Sequence, residues 1–208
     1  MMNTMLLEGE GTVVMEPDQA SLIIGIVTNN KSPVKAQEEN TTRSRNVIES
    51  LKTLGILEQN IRTSSYSIYP RYDYIEGVST LKDYEVQHLL LVTVKDLSLL
   101  GLVYETALEN GATTTHSMQL SLSNTEAAYE EALSNALLSV QHKARSLSKS
   151  IGVKVNPIPL KIVERRIEEG TVFTPFAQKA LSAEGGPPIE KGELTITAYV
   201  KALFHYVY

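Results

Sequence analysis

The sequence predicts an α+β fold of antiparallel hairpins and three helices, with split β-α-β (ferredoxin-like) character and one long helix in the C-terminal half. Three observations predict it. Strand-like apolar runs come in adjacent pairs, capped amphipathic segments separate the pairs in the order ββαββαβαββ, and no fixed-period repeat suggests a solenoid or propeller.

The elements follow in chain order. Val13-Val14-Met15 and Ser21 to Val27 read as strands punctuated by Pro17-Asp18, the pattern of a hairpin. Ser32-Pro33 has the form of an N-cap with proline at the first helical position, and Leu54-Gly55 of a stop, which predicts a helix over Pro33–Leu54. Val47, Ile48, Leu51 and Leu54 form its core stripe, whereas Gln37 to Asn46 carries no large apolar side chain and is expected to lie mostly in solvent. Ile61–Tyr74 and Tyr84–Lys95 predict a second hairpin around a Gly77 loop. Asp96 is placed to cap a helix over Leu97–Glu109 that stops at Asn110-Gly111. Strict alternation from Ser117 to Ser123 predicts a strand with Met118, Leu120 and Leu122 inward.

The long helix is expected from Ser123-x-x-Glu126, which has capping-box spacing, to Gly152. Its apolar residues are Tyr129, Leu133, Ala136, Leu137, Val140, Ala144, Leu147 and Ile151. At about 26 residues it is long enough to cross a whole sheet or join two lobes. A strand over Ile158–Arg165, a mobile loop over 166–192 and a final strand over Leu194–Phe204 complete the order.

The 208 residues carry Lys+Arg 19 against Asp+Glu 24, a formal charge of -5, and no cysteine. A chain of this length buries enough surface to fold without metal or disulfide staples. Absent cysteine excludes thiol chemistry, zinc-thiolate sites and iron–sulfur clusters. No basic block is present, so nucleic acid is not an expected partner. The longest apolar runs, Leu22–Val27 and Leu89–Val94, fall short of the ~20 residues of a membrane helix, so no transmembrane segment is expected. Met1 to Leu7 reaches Glu8 without a signal-peptide pattern. The location is expected to be cytoplasmic as the sequence stands, or periplasmic if a leader was removed.

Several motifs occur in a characteristic order: Gly9-Glu10-Gly11 with Pro17-Asp18-x-Ala20; Leu54-Gly55-Ile56 followed by Ile61-Arg62-Thr63; Tyr69-Pro70; Asn110-Gly111-Ala112; Tyr129-x-x-Ala132 in a helix ending at Ile151-Gly152; and Pro188 to Glu193 before the last strand. On these the chain resembles the SIMPL-domain family, named for a mammalian signalling molecule associated with a Pelle-like kinase and widespread in bacterial envelope and periplasmic proteins. The resemblance runs from about Leu7 to the C-terminus, so residues 7–208 are expected to form one SIMPL domain, as one body or two interlocked α+β lobes. Asp83-Tyr84 stands where members often carry Gly-Tyr. The resemblance implies an α+β fold, self-association and envelope-associated, stress-protective or adaptor-like roles, and it implies no catalytic residue.

The candidate chemistry is sparse. Gly9-Glu10-Gly11 lacks the third glycine and the following helix of a phosphate loop, so a structural turn is expected. Ser146-x-x-Lys149 has the spacing of an acylating pair but no Ser-Asp-Asn or Lys-Thr-Gly partner. His88, His116, His142 and His205 show no metal-ligand spacing, and no metal or cofactor is expected. Glu130-Glu131 and Glu168-Glu169 are expected as solvated faces.

Tyrosine is over-used, with Tyr 10 against Phe 3 and Trp 0, and Tyr66, Tyr69, Tyr72, Tyr74 and Tyr84 fall in one hairpin. Such residues suit a protein–protein surface, and they also suit cross-strand pairing, which alternation favours by sending Tyr66 and Tyr69 to opposite faces. The expected function is a non-enzymatic homo-oligomer acting through protein contacts, with this hairpin, exposed strand edges or the polar first half of the first helix as its interface. The alternative is a small-molecule-binding module with a cleft between two lobes, walled by Arg62, Arg71 and Tyr66.

Overall fold

The strands on either side of Pro17-Asp18 join different sheets. In the computed structural model, which describes residues 3–75, 77–165, 172–174 and 192–208, β1 (Thr4–Met15) pairs only with the last strand, β9 (Glu193–Val207). β2 (Gln19–Asn30) pairs instead with strands from the middle of the chain. The expected first hairpin is therefore corrected. Pro17 ends one strand and admits the next, but a turn signal does not decide whether the chain folds back on itself. The described residues divide into two compact units: a terminal unit of residues 3–16, 122–165, 172–174 and 192–208, and a middle unit of 17–75 and 77–121.

In the terminal unit β9 is the spine. β1 runs antiparallel along its whole length, from Thr4 opposite His205 to Met15 opposite Leu194. β6 (Lys154–Val155), β7 (Lys161–Arg165) and β8 (Val172–Thr174) also pair antiparallel with β9. The long helix, α3 (Thr125–Ser150), covers one face, over β9 residues Leu194, Ile196, Ala198, Val200, Ala202 and Phe204. Its cap is Asn124, whose side chain accepts from the Ala127 N–H at 3.0 Å, one residue later than the predicted Ser123.

The buried stripe of α3 is Ala128, Ala132, Ala136, Val140, Ala144 and Ser148. Small residues dominate because the helix lies almost on β1. A Cβ at Gly9 would overlap the Ala136 carbonyl and one at Gly11 the Ala132 carbonyl. Gly9-Glu10-Gly11 is thus no turn but the middle of a strand that a helix approaches closely. The larger Leu147 and Ile151, predicted inward, are exposed.

The middle unit runs β2, α1 (Pro33–Thr53), a 3-10 turn Glu58–Asn60, β3 (Ile61–Ile75), β4 (Val78–Val94), a 3-10 turn Leu97–Leu99, α2 (Leu100–Glu109) and β5 (Thr114–Ser121). Its antiparallel sheet has the order β3-β4-β2-β5, so β4 separates β2 from β3. Leu22, Ile24 and Ile26 of β2 and Leu90, Val92 and Val94 of β4 pack with Val47 and Leu51 of α1 and Leu100 and Val103 of α2. Met118 and Leu120 join this core partly buried, whereas Leu122 lies past β5 and packs in the core of the terminal unit. Asp96 caps as predicted, accepting from the Ser98 N–H at 3.0 Å. Gly111, at φ 116°, supplies the left-handed residue after α2.

Residues 37–46 of α1 lie mostly in solvent as expected, with two exceptions, Asn40, which is fully buried, and Ser44, which is nearly so. The predicted mobile loop over 166–192 lies outside the described residues except at Val172–Thr174, which form β8, and at Gly192.

Candidate functional site

The β3–β4 hairpin positions both candidate surfaces. β4 pairs with β2 only from Tyr84 onward, so residues 71–75 and 78–83 form a two-stranded ribbon projecting past the sheet. Its turn contains Gly77 at φ 81°. Tyr72 lies opposite Leu81 and Tyr74 opposite Ser79, which puts Tyr72, Tyr74 and Leu81 on one face of the ribbon. These three are 53%, 79% and 45% exposed, respectively, which leaves an apolar patch in solvent.

The five predicted tyrosines do not form one patch. Tyr66 lies opposite His88 and meets its ring edge-on, with centroids 5.4 Å apart at 76°. Tyr69 lies on the opposite face, where its hydroxyl donates to Glu85. Tyr84, half-buried, lies opposite Pro70. Beside Tyr69, Arg71 donates to both Asp83 oxygens at 2.7 Å and reaches Glu85 at 3.2 Å. The bidentate bond to Arg71 holds the Asp83 carboxyl below its usual range, and the bond to Glu85 pushes the Tyr69 hydroxyl up. Asp83-Tyr84 is interior to β4 and opens no strand.

On the helix-facing side is a site that the sequence reading missed. The His88 Nδ1 lies 2.8 Å from the Ser44 hydroxyl and the Nε2 lies 2.9 Å from that of Thr63. Ser44 donates to the Asn40 Oδ1 at 3.3 Å, and the Asn40 amide nitrogen donates to the backbone carbonyls of Ile26 at 2.9 Å and Val86 at 3.2 Å. Every buried polar side chain among the described residues has a partner. Partial burial alone pushes the His88 imidazole down, because it strips away part of the water that would solvate the charged ring.

Above this chain opens a cleft of about 400 Å³, lined by Asn40, Thr41, Ser44, Arg45, Ile48 and Glu49 of α1 with Tyr66 and His88 of the hairpin. Of the predicted wall residues Arg62, Arg71 and Tyr66, only Tyr66 lines it. Two signals could have revealed the site. His88 occupies an inward position between Val86 and Leu90, and Asn40 and Ser44 stand three and four residues apart in step with Val47 and Leu51.

The other candidates stay apart. Ser146 and Lys149 are both exposed on α3 and no hydrogen bond joins them. No cluster of three His, Asp or Glu capable of holding a metal occurs among the described residues. Glu130 and Glu131 are exposed, and Glu168 and Glu169 lie outside the described residues. No described helix is long and apolar enough to cross a membrane.

Comparison with known proteins agrees with the motif order. The chain is 24% identical over 212 residues to the 26 kDa periplasmic immunogenic protein of Brucella melitensis, a match covering 94% of this chain and 82% of that protein. It is 27% identical over 150 residues to the uncharacterized protein YggE of Escherichia coli, covering 72% of this chain and 61% of that one. Residues 6–204 match the profile of SIMPL, described as a protein of unknown function (DUF541), and the chain therefore belongs to the SIMPL family.

Proposed function

We propose that the chain is a non-enzymatic, self-associating SIMPL protein that acts through protein contacts in an envelope or stress-related role. The observation that carries this reading is the projecting ribbon, with Tyr72, Tyr74 and Leu81 held in solvent on one face. Apolar side chains concentrated on a protruding element favour an interface, and a second copy of the chain supplies the same patch for an isologous contact. Strand addition along β3 is the weaker route. Pro70 removes a donor, and register shifts at Thr63/Ser65 and Arg71/Tyr72 break the edge. The periplasmic relative supports an extracytoplasmic setting.

The test is molar mass by size-exclusion light scattering over a concentration series. The reading expects a stable multiple of 22.9 kDa, and a smaller mass for the Tyr72→Ser/Tyr74→Ser/Leu81→Ser variant with its circular dichroism unchanged. A wild-type monomer at all concentrations, or an unchanged assembly in the variant, overturns it.

A further inference from the structure

We infer that the cleft between α1 and the β3–β4 hairpin is a binding site for a small carboxylate carrying a flat apolar body, such as a single aromatic ring. The inference is independent of self-association.

The volume, about 400 Å³, lies in the range of small-molecule sites. The chemistry of the ligand follows from what its walls have left to offer. At the floor, Asn40, Ser44 and His88 have spent their hydrogen bonds on one another, on Thr63 and on backbone carbonyls. They therefore ask nothing polar of a ligand's inner end. The side walls are the Tyr66 ring, held edge-on to His88, and the Ile48 side chain, and these suit an apolar plate.

Charge at the mouth decides the other end. Among the described residues Arg45 lines the cleft with no ion-pair or hydrogen-bond partner, whereas its neighbours on α1 are matched, Arg43 with Glu39 at 2.6 Å and Lys52 with Glu49 at 3.2 Å. Glu49 is, among the described residues, the one carboxylate that lines the cleft, and Lys52 offsets it. Burial disfavours the charged form of His88, so among the described residues Arg45 is the permanent cation of the lining and a carboxylate is its natural complement.

The test is a ¹⁵N amide titration of the full chain with phenylacetate, its neutral analogue phenylacetamide, and acetate. Phenylacetate is expected to shift the amides of Ser44, Ile48 and Tyr66 saturably at about millimolar concentration, with the neutral amide and acetate each at least roughly tenfold weaker. Arg45→Met, an exposed position whose fold the same spectrum verifies, is expected to weaken phenylacetate by about tenfold or more and leave phenylacetamide unchanged. Tyr66→Ala is expected to weaken both. No saturable shift up to about 20 mM, equal binding of acid and amide, or full affinity in Arg45→Met overturns the inference.

Discussion

His88 on β4 and Ser44 on α1 meet at 2.8 Å, and this contact ties the middle of a helix to the hairpin through a directed chain of hydrogen bonds. The direction originates at Asn40. Its amide nitrogen is committed to two carbonyls, so its oxygen accepts from Ser44, Ser44 accepts from His88 Nδ1–H, and Nε2 is left to accept from Thr63. Asn40→Ala is expected to cost about 1–3 kcal/mol, because it leaves buried groups without partners. Asn40→Asp is expected to cost more, since its carboxylate faces two carbonyl oxygens where a donor stood. Urea unfolding of the three proteins measures the order. An aspartate variant as stable as the alanine one contradicts the orientation assigned here.

The same histidine sets a pH dependence. Its folded pKa lies below the ordinary 6.5 through burial, so the unfolded chain takes up the proton first as pH falls. The stability it contributes is complete above about 6.5 and is lost as pH falls through the folded value. Asp83, also lowered, acts in a separate window, below its ordinary 3.8. Urea midpoints measured from pH 7.5 to pH 3 are therefore expected to decline in the wild type, first between pH 7.5 and pH 5 through His88. His88→Gln should flatten that decline and leave the limb below pH 4 in place.

In the terminal unit the tight approach of α3 to β1 makes Gly9 and Gly11 sensitive to a single methyl group. Gly11→Ala is expected to destabilise by about 1–3 kcal/mol, the usual penalty of overpacking, because the methyl meets helix backbone rather than a side chain able to turn away. Thermal melts of Gly9→Ala and Gly11→Ala, with Gly55→Ala as a comparison at a site where no atom lies within 4 Å of the added carbon, separate crowding from the strain of a positive φ. Wild-type melting of both strand variants would refute the close-packing account.

Such particulars mark what the sequence made legible. Caps, periodicity and turn residues located α1, α2 and the final strand to within a few residues, because those signals are local. Pairing is not local. Thr12 to Val27 reads as a hairpin, yet β1 lies beside residues nearly two hundred positions later. The buried face of α3 misleads for a related reason. Size alone favours Leu147 and Ile151 as core residues, but the face that turns inward is the one on which small side chains, Ala132 and Ala136 with Val140, let the helix approach two glycines of a distant strand. Polar core residues escape in the same way: Asn40 and Ser44 look solvated until the carbonyls of Ile26 and Val86 and the ring of His88 come within reach.

On the other face of the hairpin, Tyr69 provides an optical test of the predicted alternation. Its hydroxyl donates to Glu85, which raises its pKa above the ordinary 10.0, and Tyr104 is raised by burial. A group raised on folding adds stability that is complete below its unfolded pKa and is lost as pH rises through the folded one. Spectrophotometric titration of the tyrosines is thus expected to show a late-ionising class that includes Tyr69. Tyr69→Phe should remove one tyrosine from that class and flatten the loss of stability above about pH 10 that the wild-type hydroxyl causes. Tyr66→Phe, on the cleft side and away from Glu85, should leave the late class intact. If it is Tyr66→Phe that depletes the class, the two tyrosines have exchanged faces and the register of β3 against β4 is wrong by one residue.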